Sequence, residues 1–124
     1  MIFSMFSFIL FRGMSASLTA IFITTNTIES ATSLANGLVQ NDLAACVNII
    51  PGVTSIYKWE GALNSDQEVI LMVKTRQELV ENVTNWVKAN HHYSCPEVIA
   101  LPIIGGNPSY FDFVINGTAK THLE

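Results

Sequence analysis

The stretch LAACVNIIPGVTSIYKWEG, residues 43–61, is as apolar as a buried strand, yet Pro51-Gly52 interrupts it and Tyr57, Lys58, Trp59 and Glu60 close it with rings beside opposite charges. Its β-branched and apolar content over residues 44–59 predicts one long strand. A turn-rich segment, residues 61–66, follows as a loop, and EVILMVKT, residues 68–75, supplies a second strand that is apolar on both faces and so must be covered on both. Together the two runs predict a long antiparallel hairpin. Proline removes a ladder donor and glycine permits a bulge, so Pro51-Gly52 is where the first strand should bend.

Outward from the hairpin, LTAIFITT at residues 18–25 reads as an earlier strand. Asn26-Thr27-Ile28-Glu29 has capping-box spacing and predicts a helix capped by Asn26, with Ile28, Ala31, Ala35 and Leu38 facing a sheet and Gly37 packed against a strand. Thr75-Arg76-Gln77-Glu78 repeats the capping box ahead of a helix that carries Leu79, Val83, Trp86 and Val87 on one face. EVIALPII, residues 97–104, gives a fourth strand closed by Gly105-Gly106. Asn107 followed by Pro108 signals the start of a short apolar C-terminal helix. The order βαββαβ plus a terminal helix is the ferredoxin-like α+β arrangement, an antiparallel sheet with two helices on one face. That leaves one sheet face and the hairpin to pack on other copies of the chain, in a closed ring because an open series of such contacts makes fibres. Composition alone does not choose between dimer and trimer.

The 124 residues suit one domain, at residues 18–118, with an apolar extension at 1–17 and a short tail at 119–124. With 49% hydrophobic and only 13% charged residues, a monomer would struggle to cover its surface with polar groups. The net charge of -4, with six Lys and Arg placed singly, offers no basic stripe for nucleic acid. The N-terminal run MIFSMFSFILFRG is too short for a transmembrane helix of about 20 residues. It reads either as a disordered extension, which leaves the protein cytoplasmic, or as an organelle or secretory targeting segment. Cys46 and Cys95 do not form a secreted disulfide framework, and Cys46, inside a strand pattern, reads as a buried small hydrophobe.

Residues 20–115 resemble the CutA family of divalent-cation tolerance proteins, on the run Ala44-Ala45-Cys46-Val47-Asn48 with Pro51-Gly52, Tyr57, Trp59, Glu60 and Gly61, then EVILMVKTR and EVIALPIIGGNPSYFDFV. The resemblance implies a ferredoxin-like homotrimer in which long hairpins pack subunit on subunit. It also implies a connection to divalent metals, copper among them, and, from animal members, a link to acetylcholinesterase anchoring. The family segment His-Pro-Tyr-x-x-Pro-Glu corresponds to residues 91–97, where His91, Tyr93, Pro96 and Glu97 match and His92 replaces the proline. Copper ligands of some bacterial members fall at the positions of Thr25, Asn90 and His91, of which this chain keeps only the histidine.

Candidate metal ligands are therefore His91, His92 and Cys95, since imidazole suits copper and zinc and thiolate favours Cu(I) and zinc. Three donors are too few for a closed site unless other subunits contribute. The competing reading has His91 capping the helix C-terminus, where a donating side chain suits the dipole. Tyr57, Lys58, Trp59, Glu60, Lys74, Tyr93 and Glu97 are candidates for an intersubunit pocket whose carboxylates and ammonium groups accept a small polar ligand, or for plain interface packing. No Gly-rich phosphate loop, Lys/Arg cluster or nucleophile pair occurs, which argues against an enzyme or a nucleotide sensor. A metal-binding trimer and a trimeric scaffold for a protein partner are the functions that stand.

Overall fold

A computed structural model describes residues 17–119. The expected extension at residues 1–17 and the tail at 119–124 lie almost wholly outside the described residues. The chain runs β1 (Leu18–Thr25), α1 (Ile28–Gln40), β2 (Cys46–Trp59), β3 (Ala62–Arg76), α2 (Val80–Asn90), β4 (Val98–Ile103) and α3 (Pro108–Asn116). The four strands form one sheet in the order β2-β3-β1-β4, with every neighbouring pair antiparallel. This is the ferredoxin-like arrangement expected from the element order.

The core lies between the sheet and α1 and α2. Ile21 and Ile23 of β1 and Leu71 and Val73 of β3 alternate onto the helix side, and Leu34, Leu38, Val83 and Val87 meet them. Each such side chain, fully withdrawn from water, contributes about 1.5–3 kcal/mol. Ile28, assigned to this face from its spacing, is exposed at the first turn of α1, and Leu34 takes its place in the core.

Both capping expectations shift. The cap of α1 is Thr27, whose side chain accepts from the Ser30 N–H at 3.0 Å, one residue later than the Asn26 expected. Ahead of α2, Thr75 and Arg76 stay in β3, paired with Thr19 and Leu18, and Thr75 Oγ1 donates to the Leu43 carbonyl at 2.7 Å. Ladder pairing outcompetes the capping box, so residues 77–79 form a 3₁₀ turn and the α-helix begins at Val80. The expected cap of α3 is observed: the Asn107 side chain accepts from the Ser109 N–H, with Pro108 at the first position.

The predicted loop at residues 61–66 does not exist. β3 starts at Ala62, and the hairpin turns on Glu60 and Gly61 alone, with φ of 51° and 79°. Positive φ at both central residues is what a tight two-residue hairpin turn of type I′ requires. The bend at Pro51-Gly52 is present as a bulge: Ile50 pairs with Ile70 and Val53 with Glu68, so β2 carries one extra residue, and Gly52 has φ of 79°. Because β1 pairs with β3 only over Val69–Arg76, the part of the hairpin beyond the bulge is a two-stranded arm extending past the four-stranded sheet.

On the sheet face away from α1 and α2, register aligns Ile99, Phe22, Met72 and Asn48 in one row and Leu101, Ala20, Lys74 and Cys46 in the next. α3 is tied to the chain by Arg76, 3% exposed, whose Nη2 donates to the Ile115 carbonyl at 2.6 Å and whose Nε donates to Thr118 Oγ1 at 2.8 Å.

Candidate functional site

The arm places its side chains by strand alternation. Ser55, Tyr57 and Trp59 share one face with their partners Asp66, Asn64 and Ala62, while Ile56, Lys58 and Leu63 belong to the other. On the first face the Tyr57 hydroxyl donates to the Asp66 carboxylate, and this bond, reinforced by desolvation and by the charges of Asp66 and Glu68, raises the Tyr57 phenol above its ordinary value.

A second wall of the site comes from the segment after α2. His91 closes that helix, its backbone N–H donating to Val87, and its ring turns into the protein toward the end of β1. The Tyr93 backbone N–H donates to Nδ1 at 3.0 Å, so Nδ1 is the acceptor; Nε2 lies 2.8 Å from the Thr24 carbonyl, which can only accept, so Nε2 carries the hydrogen. With both nitrogens engaged, His91 is a structural pin between α2 and β1 rather than an open ligand. Its ring stacks on the exposed His92 at 5.2 Å and lies 4.7 Å from Tyr93. The Tyr93 hydroxyl then donates to Glu68 Oε2 at 3.0 Å. Partial burial, followed by the Glu68 bond and charge, pushes its phenol up to about 12.

Between the arm and this segment lies a cleft of about 620 Å³, walled by the rings of Tyr57, Trp59 and Tyr93 and by the carboxylates of Asp66, Glu68 and Glu97. Ile56 and Cys95 also line it, and its described lining includes no lysine or arginine. Four of the seven residues expected in a pocket, Tyr57, Trp59, Tyr93 and Glu97, are thus brought together. Lys58, Glu60 and Lys74 do not line the cleft: Lys58 belongs to the other face of the arm, Glu60 forms the turn, and Lys74, 8% exposed, donates to the Asn48 side chain within the sheet. Within one copy the cleft is acidic, while the mixed ammonium and carboxylate pocket is an expectation for the space between subunits. Reading residues 61–66 as a loop removes Asp66 from the ladder and leaves Glu68, first in the expected strand, without a register; continuing the alternation across a two-residue turn pairs Ser55 with Asp66 and Val53 with Glu68.

Of the metal candidates, Cys95 lines the cleft, His92 is exposed beside it in sequence, and His91 is committed to its two bonds. Among the described residues no group of three or more His, Cys, Asp or Glu is placed to hold one ion. Among them, too, no helix is long and apolar enough to cross a membrane.

Residues 19–117 match the family described as CutA1 divalent ion tolerance protein. The chain is 51% identical over 98 residues to the chloroplastic protein CutA of Arabidopsis thaliana, covering 79% of this chain and 54% of that one, so it spans little more than half of that relative. It is 46% identical over 98 residues to the divalent-cation tolerance protein CutA of Thermus thermophilus, covering 79% of this chain and 95% of the relative. The crystal structure of CutA1 from Oryza sativa superposes with a TM-score of 0.83 at 44% identity, covering 85% of this chain and 96% of that one. In fold, in the motif carried by the hairpin and across nearly all the described residues, the chain belongs to the CutA1 divalent ion tolerance protein family.

Proposed function

We propose that the protein works as a homotrimer that binds copper or another divalent cation without turnover. The observation that carries the metal reading is the cleft itself: Cys95 and the carboxylates of Asp66, Glu68 and Glu97 line one space with no described cationic side chain among them. The described residues of one copy do not gather three donors on an ion, so His92 and Cys95 serve as ligands in a site that a neighbouring copy completes, and His91 orients the segment that bears them. Assembly is supported by exposed apolar side chains on the arm, with Ile56 at 70% and Leu63 at 76%, and by Ile99 and Leu101 on the open sheet face.

Copper and zinc titration by calorimetry tests the site, with sedimentation reporting the assembly. Loss of affinity in the His92→Ala, Cys95→Ser double variant is expected; unchanged affinity removes both residues from the site. A trimer without metal affinity would leave the scaffold reading, in which the assembly presents a surface to a protein partner. Residues 1–17 act in this proposal as an organelle-targeting segment, in keeping with the chloroplastic names of the Arabidopsis and rice relatives. A fluorescent fusion of residues 1–17 that stays in the cytosol returns the protein to the cytoplasm.

A further inference from the structure

We propose that the cleft between the arm and the segment after α2 binds an aliphatic polyamine, a ligand with two or three ammonium groups separated by methylenes. This inference rests on the same cleft as the metal reading and shares its carboxylates, but not the thiol and imidazole donors.

Three features lead to it. The carboxylates of Asp66, Glu68 and Glu97 line one cleft of about 620 Å³, a size suited to a small organic molecule. Yet they and the nearby thiol and imidazoles do not converge on a single point as the donors of an ion would. Separated negative charges are better matched by separated positive charges on one flexible ligand. Next, two of the carboxylates are already oriented by phenols, Asp66 by Tyr57 and Glu68 by Tyr93. Each phenol spends its hydrogen on one carboxylate, which holds that carboxylate in place and leaves its remaining lone pairs for a ligand's donors. An ammonium group has three donors and no acceptor capacity, the complement of such a surface. Finally, the space beside the charges is aromatic: the rings of Tyr57, Trp59 and Tyr93 offer contact for methylenes and faces for cation–π attraction. A bare divalent ion uses none of that aromatic surface, and a monoamine neutralises one of the three carboxylates.

The test is calorimetry of metal-free full-length protein at fixed ionic strength with spermidine, putrescine and butylamine as probes, alongside sedimentation of every variant. Affinity should fall in that order, and Glu97→Gln, a change outside the arm, should weaken spermidine at least tenfold while leaving sedimentation unchanged. Trp59→Leu should weaken it several-fold. Equal affinity for butylamine and spermidine overturns the inference, as does displacement of spermidine by magnesium at equal ionic strength, which would mark generic attraction of multivalent cations because screening is held constant. Full spermidine affinity in Glu97→Gln overturns it as well. Copper binding in a protein that ignores spermidine defeats this inference alone; spermidine binding in a protein that ignores copper supports it and defeats the metal reading.

Discussion

Replacing Gly37 by alanine should destabilise the protein even though it repairs a weak point in a helix. Gly37 lies inside α1, where alanine is favoured over glycine by about 1 kcal/mol. A methyl at this position, however, would fall within van der Waals overlap of Trp86 Cζ2 and Cη2, with Cε2 at 3.6 Å. The close approach is to the neighbouring helix, not to a strand as the sequence suggested. Trp86 has two ways to respond. If it holds its place, the overpacked contact costs about 1–3 kcal/mol. If it swings out, it forfeits part of its packing on the core; losing half of an aromatic burial of roughly 200 Å² at about 25 cal/mol/Å² costs about 2.5 kcal/mol. Subtracting the helix gain leaves a net loss of about 0–2 kcal/mol. With Trp86→Ala already present the clash is gone, and Gly37→Ala should stabilise by about 1 kcal/mol. The coupling of about 1–3 kcal/mol is readable in a double-mutant cycle from denaturant midpoints at fixed protein concentration. Equal stabilisation by Gly37→Ala in both backgrounds would refute the close-approach argument.

Arg76→Ala should cost about 1–3 kcal/mol and accelerate amide exchange across α3, because Thr118 Oγ1 and the Ile115 carbonyl each lose a charged donor; Arg76→Lys should recover little, since one ammonium does not reproduce the fork. In an alkaline ultraviolet titration Tyr93 should ionise near 12, above the ordinary phenol value of 10.0. The raised value means that the fold favours the neutral phenol, so this contribution to stability is complete below pH 10 and is lost as pH climbs toward about 12. Glu68→Gln should lower that ionisation by removing the adjacent charge. In the proposed metal-binding trimer, substitution of Pro51 or Trp59 should weaken assembly before it weakens metal binding; trimers of normal thermal stability in both variants would contradict this.

Much of the fold was legible in local patterns. β-branched runs marked β1 and most of the hairpin, the Asn107-Pro108 pair marked the start of α3, and Pro51-Gly52 marked the bulge. These signals are local because they depend on which φ each residue tolerates and on which side of a strand or helix its neighbours fall. The family resemblance, too, rested on the residues of the hairpin and was matched across residues 19–117. The candidate site was legible only in half. Tyr57, Trp59, Tyr93 and Glu97 were found as a motif, but Asp66 and Glu68 depend on a register fixed by a bulge at one end and a two-residue turn at the other.

What the sequence by itself determined is the set of elements, their order and the inward-facing stripes of the core. What only the tertiary structure decided is which of two locally acceptable partners each polar group takes. Thr75 could cap a helix but pairs with Thr19 in the ladder and donates to Leu43; His91 could bind a metal but bonds Thr24 and Tyr93; Lys74 could enter the cleft but bonds Asn48. Each choice turns on groups distant in the chain that burial brings within hydrogen-bond reach, where leaving a polar atom unpaired costs about 1–3 kcal/mol. That cost is incurred only once the chain is folded, so a pattern of neighbours in sequence does not carry it.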